Sequence, residues 1–99
     1  MSPDELLDTA WQIDGILSPE DLEITLRKAF FELGIEDRKF KLNIVAKYLT
    51  AEEIVGITEE LIGSGQMLHH YNLGKDIQDK IGSEKVQGLL EKSFYVALK

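Results

Sequence analysis

The chain has 99 residues, 43% of them hydrophobic and 29% charged, a net charge of -7 and no cysteine. That length and apolar content suit one domain, 1–99, with a core of its own, and argue against disorder. The missing thiols exclude disulfides, thiolate zinc sites and cysteine nucleophiles, and the excess of acid disfavours nucleic acid and anionic lipid as general partners.

The amino terminus, "MSPDELLD", is acidic where a secretory signal needs positive charge and then an apolar stretch. No apolar run approaches the ~20 residues of a membrane helix. The expectation is a cytoplasmic protein with no membrane contact.

Three strings mark helix starts: "SPDE" from Ser2, "SPED" from Ser18 and "TAEE" from Thr50. Each sets a hydroxyl three residues before a carboxylate, the spacing of a capping box or its aspartate variant. Pro3 and Pro19 fall at the first helical position, where a missing N–H does no harm. The acids that follow meet the positive end of the helix dipole.

Apolar spacing extends these starts in chain order. A first helix carries Leu6, Leu7, Ala10, Trp11 and Ile13 and ends near Asp14-Gly15. A second runs from Pro19 to Leu33 on Leu22, Leu26, Ala29, Phe30 and Leu33, and Gly34 stops it. A third spans about Asp37 to Leu49, with Phe40, Ile44, Val45, Tyr48 and Leu49 inward. A fourth, from Ala51 to about Ile62, uses Ile54, Ile57 and Leu61. "GSG" at 63–65 breaks the chain, and "QMLHHY" and "LGKDIQDKIG" read as one or two short helical pieces. A last helix from about Ser83 to the end presents Val86, Leu89, Leu90, Phe94 and Ala97. No segment alternates with strand period, so the expected fold is all-α, a compact bundle of five to six short helices.

Charge is unevenly distributed along the chain. Residues 1–26 hold seven acids and no base, whereas residues 27–47 hold six bases and three acids. Within that basic segment Arg38, Lys39, Lys41 and Asn43 could contact phosphates if the stretch formed a helix-turn-helix. A helix-turn-helix wants a small residue four positions before the turn glycine, and Phe30 stands there. A nucleic-acid-binding regulator is therefore the alternative reading, and the overall charge has the wrong sign for it.

The Asp14-Gly15 stretch invites a calcium loop. Ending such a loop at Asp21 puts Ala10 in position one and Gln12 in position three, where carboxylates belong. The residue pattern favours a turn at Gly15 and a helix cap at Ser18. The histidines are His69 and His70 only. Adjacent residues on a helix point about 100° apart, which is poor geometry for one metal ion. A half-buried His70 beside Tyr71, with His69 exposed, is the expectation. Ser64 lacks a nucleophile elbow, and the glycines lack the lysine of a phosphate loop. No catalytic residue and no cofactor are expected, and the chain is not read as an enzyme.

Residues 10–36, "AWQIDGILSPEDLEITLRKAFFELGIE", about a third of the chain, resemble the repeated helical unit of the tellurite-resistance TerB and DjlA-like domains. The resemblance rests on Asp14, Gly15, Leu17, Ser18, Asp21 and the closing "ELGI", with Ile13 where that family has alanine. "GLLEKSFYVALK" looks like a second copy of "ELLDTAWQIDG", pairing Leu89 with Leu6, Leu90 with Leu7 and Phe94 with Trp11. The resemblance implies an all-helical module of stress-response or membrane-linked assemblies. It also implies acidic metal-binding positions, which here would be Asp14 and Asp21.

Apolar residues exceed what one buried stripe per helix requires. Ile24 and Phe31, seven apart, lie off the Leu22-Leu26-Leu33 stripe, and Phe94, Tyr95, Val96 and Leu98 run almost continuously. Such a surplus predicts a protein-binding face at Ile24, Phe31, Phe94, Tyr95 and Leu98. The expected partner is another protein or a second copy in a homodimer, and the expected role is that of an adaptor, inhibitor or regulator.

Overall fold

The computed structural model describes residues 2–98, and all of its regular structure is helical. Seven α-helices follow one another among the described residues: α1 (Pro3–Asp8), α2 (Ala10–Ile13), α3 (Pro19–Glu32), α4 (Ile35–Val45), α5 (Ala51–Gly63), α6 (Lys75–Ile81) and α7 (Ser83–Ala97). Single 3-10 turns occupy Ala46–Tyr48 and His70–Asn72. The expected all-α bundle is what forms, and five of the seven helices have seven residues or more. The continuation of the last helix to Lys99 lies outside the described residues.

Each predicted cap is present. Ser2 Oγ accepts from Glu5 N at 3.2 Å, Ser18 Oγ from Asp21 N at 3.2 Å and Thr50 Oγ1 from Glu53 N at 3.1 Å. The reciprocal box closes at Thr50, whose N–H donates to Glu53 Oε1 at 3.0 Å. Ser18 carries only the hydroxyl half, and Ser2 instead donates its hydroxyl to Glu5 Oε1 at 3.1 Å.

One apolar core is shared by all the longer helices. Phe30, Val45, Ala46, Ile54, Leu73 and Ile77 are fully enclosed in it. Packing divides the molecule into two halves. In one, α3 lies between α1 and α4; in the other, α7 lies on α5 and α6, with α4 against α5 joining them. The outline is accordingly oblong, 44 × 26 × 19 Å. Polar groups tie the loops to this core. The buried Ser93 hydroxyl accepts from Leu68 N at 2.9 Å. Asn43 donates to Tyr71 O at 2.7 Å and accepts from Gly74 N at 2.8 Å.

Several details differ from the sequence-based expectation. The first helix is interrupted at Thr9, whose backbone (φ -104°, ψ 15°) leaves the helical well, and its hydroxyl donates to Glu5 O at 3.0 Å. The interruption changes the register of α2, so Trp11 is 75% exposed instead of joining the core. In α4 the buried side is set by Leu42 and Val45, which leaves Phe40 outward and 58% exposed. In α7 the inward stripe runs Val86, Leu89, Leu90 and Ser93, so Phe94 and Ala97 are exposed. Both histidines are exposed, and it is His69 that stacks on Tyr71, with ring centroids 5.5 Å apart and planes 3° from parallel. Gly15 does not need to be glycine: positive φ occurs only at Gly65 and Gly82 among the described residues, and a Cβ at Gly15 would meet nothing within 4 Å.

Candidate protein-binding surfaces

Ile24 and Phe31 share one side of α3, as their spacing of two helical turns requires. Ile24 is 65% exposed beside a groove of about 360 Å³ between α1 and α3, where Pro3, Leu6 and Ala29 form the apolar lining and Lys28 and Glu32 the rim. Phe31 is more confined. Its ring meets Phe30 edge-on at 5.4 Å, and the guanidinium carbons of Arg27 and Arg38 lie 5.7 and 5.8 Å from its centroid. Contacts of this kind hold an exposed aromatic ring in place at little cost.

The α7 face is separate. Phe94 and Tyr95 pack edge to face at 6.0 Å and, with Gln87, Leu90 and Glu91, line a shallow groove of about 300 Å³. Leu98 follows one turn later and is exposed, while Val96 turns partly inward to the core. Because α3 and α7 belong to opposite halves of the packing, the five predicted residues form two faces instead of one. Trp11, Ile16, Phe40, Met67 and Tyr71 are also exposed, and periodicity along the sequence did not assign them to a surface. Only the break at Thr9 signals the position of Trp11. Phe40 stands about 200° round α4 from the buried Leu42, so the Leu42–Val45 spacing, not used in assigning the inward side, is the signal that marks it as outward.

The basic segment is used inside the fold. Arg27 forms a bidentate pair with Glu53, 3.0 Å to Oε1 and 2.8 Å to Oε2, and also donates to Tyr48 O at 2.8 Å. This clamp joins α3 to the start of α5. Hydrogen bonds from Arg27 and from the Thr50 backbone hold the Glu53 carboxyl at about 2, well below its usual 4.5. Arg38 donates to Phe31 O at 2.9 Å and lies 3.8 Å from Glu60, and Lys39 donates to Met67 O at 3.0 Å. Lys41 bonds Asp8 and lies 3.5 Å from Asp4, pinning α1 to α4. The bond to Asp8 raises the Lys41 ammonium above its ordinary value, although burial acts the other way. Arg38, Lys39, Lys41 and Asn43, the set a phosphate-binding helix would use, are thus all engaged by the protein itself.

Lys80 has a comparable role on α6. Its ammonium donates to Ala46 O at 2.8 Å, Lys47 O at 2.9 Å and Leu49 O, capping the carbonyl end of α4 and its 3-10 turn.

Asp14 and Asp21 are both exposed. Among the described residues no three His, Cys, Asp or Glu side chains gather as a metal site would require. No described helix is long and apolar enough to cross a membrane. Compared with family models, curated proteins and solved structures, the chain matches none.

Proposed function

We propose that this chain is a non-catalytic protein-interaction module, an adaptor, inhibitor or regulator, and that its first partner is a second copy of itself bound through the α7 face. The supporting observation is the pair of exposed apolar faces, Ile24 with Phe31 and Phe94 with Tyr95 and Leu98, outside a core that the helices close. Soluble monomers seldom leave contiguous apolar surface uncovered, and aromatic side chains are enriched at the centres of interfaces. Of the two faces, α7 is the better candidate for a two-fold contact. Among the described residues no cation lies over its aromatic pair, whereas Arg27 and Arg38 both lie over the Phe31 ring.

Sedimentation velocity over a rising concentration series tests this. Wild type should pass from monomer to dimer, and Phe94→Glu with Leu98→Glu should remain monomeric with an unchanged melting temperature. A wild type that stays monomeric well above micromolar concentration removes self-association and leaves a different protein as the partner. Cross-linking in the native host then becomes the direct assay.

A further inference from the structure

Helix α6 has seven residues and a glycine at each end, Gly74 as its N-cap and Gly82, with φ +88°, as its C-cap. Gly74 offers no side-chain cap, and so short a helix does not hold its shape in water alone. What α6 touches must therefore keep it folded. Ile77 is fully buried and Ile81 partly so. Gln78 donates to Leu73 O at 3.0 Å, just before the helix begins. Among the described residues, Lys80 is the one α6 side chain that hydrogen-bonds another helix or its flanking turn.

An ammonium group carries three N–H donors and no acceptor, and Lys80 sets its three against the carbonyls of Ala46, Lys47 and Leu49. These oxygens lie where α4 and its 3-10 turn end, at the negative pole of the helix dipole. Arg27 takes the intervening carbonyl, Tyr48 O, at 2.8 Å. Four successive carbonyls between α4 and α5 are thus held by cations, one from α3 and one from α6. Convergent carbonyl oxygens replace the hydration shell of a monovalent cation. No carboxylate bonds Lys80, so its ammonium is held by backbone alone. We propose that α6 is a strap closed over α5 by this ammonium–carbonyl latch, and that releasing Lys80 lets α6 open locally while the other helices persist. Lys80 and Ile81 also line a groove of about 570 Å³ on α5, floored by Ala51, Val55 and Gly56, so the latch sets the width of that groove. The device does not depend on self-association through α7.

Native-state hydrogen exchange on the full chain tests the strap. In wild type the α6 amides should exchange through a local opening at denaturant concentrations that leave α3 and α5 protected. Lys80→Met keeps the stem and removes the charge. It should speed α6 exchange about tenfold or more, the scale of losing charge-assisted hydrogen bonds, with α3 unchanged. In Lys80→Ala, methylammonium chloride should restore protection to α6. Tetramethylammonium chloride at equal ionic strength has no N–H to donate and should not. Wild-type α6 amides that exchange only with global unfolding would overturn the proposal, and this measurement needs no variant to fold. So would Lys80→Met that speeds every helix alike, speeds none, or fails to fold, because Lys80 would then hold the whole fold or nothing. An equal effect of the two salts, including no effect of either, would overturn the ammonium site.

Discussion

Replacing Glu53 by glutamine removes one charge from the centre of the α3–α5 clamp while keeping the side chain's size. The amide still offers an oxygen to Thr50 N, but its nitrogen faces an Arg27 donor, so the bidentate pair is lost. A carboxyl held at about 2 instead of 4.5 corresponds, at about 1.4 kcal/mol per pH unit, to about 3.5 kcal/mol of pH-dependent stability. The Glu53 side chain is 31% exposed and partly screened by water, which brings the expected loss in Glu53→Gln at pH 7 down to about 1–2 kcal/mol. The folded state depresses this group, so its contribution is complete above about pH 4.5 and disappears as pH falls toward 2. Urea unfolding of wild type and Glu53→Gln, run from pH 7 to pH 2.5, should give curves that converge on acidification. Arg27→Met should lose a similar amount at pH 7, and the double variant should lose little more than either single one. A gap between wild type and Glu53→Gln that is as large at pH 2.5 as at pH 7 would refute the electrostatic account and leave packing as the cause.

Ser18→Ala should destabilise the fold by ~1 kcal/mol through loss of the α3 cap, and millimolar calcium should not alter either melting curve. A calcium-dependent rise in wild type that Asp14→Asn abolishes would mean a metal loop. Gly82→Val should lower the melting temperature markedly because its φ is +88°, while Gly15→Val should be close to neutral; the reverse order would contradict this backbone geometry. Fluorescence anisotropy with duplex DNA at physiological ionic strength should detect no binding, since Arg38, Lys39 and Lys41 are held by protein groups. Tight, steeply salt-dependent binding lost on charge reversal of those three would make nucleic acid the partner.

Local chemistry is legible in the amino-acid order itself. Ser2, Ser18 and Thr50 satisfy N–H groups three residues away, and proline and acid near a helix start act within the same turn, so the sequence alone places α3 and α5 almost to the residue. The stripes Leu22-Leu26-Ala29-Phe30 and Ile54-Ile57-Leu61 follow from the helical repeat itself, and all these residues are buried. The surplus on α3 and α7 is visible for the same reason: Ile24, Phe31, Tyr95 and Leu98 lie off their helices' stripes, whereas Phe94 fits the stripe expected from sequence and only packing leaves it outward. Tertiary structure decided what happens to groups that have more than one possible partner. Lys41 could have met phosphate or solvent, and it meets Asp4 and Asp8 because α1 crosses α4. Trp11 fits the inward stripe of a continuous helix until Thr9 interrupts that helix, and beyond the break neighbouring elements determine what covers it. A side chain's periodicity depends on its own helix, but its burial and its charge partners depend on residues tens of positions away, and no local pattern encodes those.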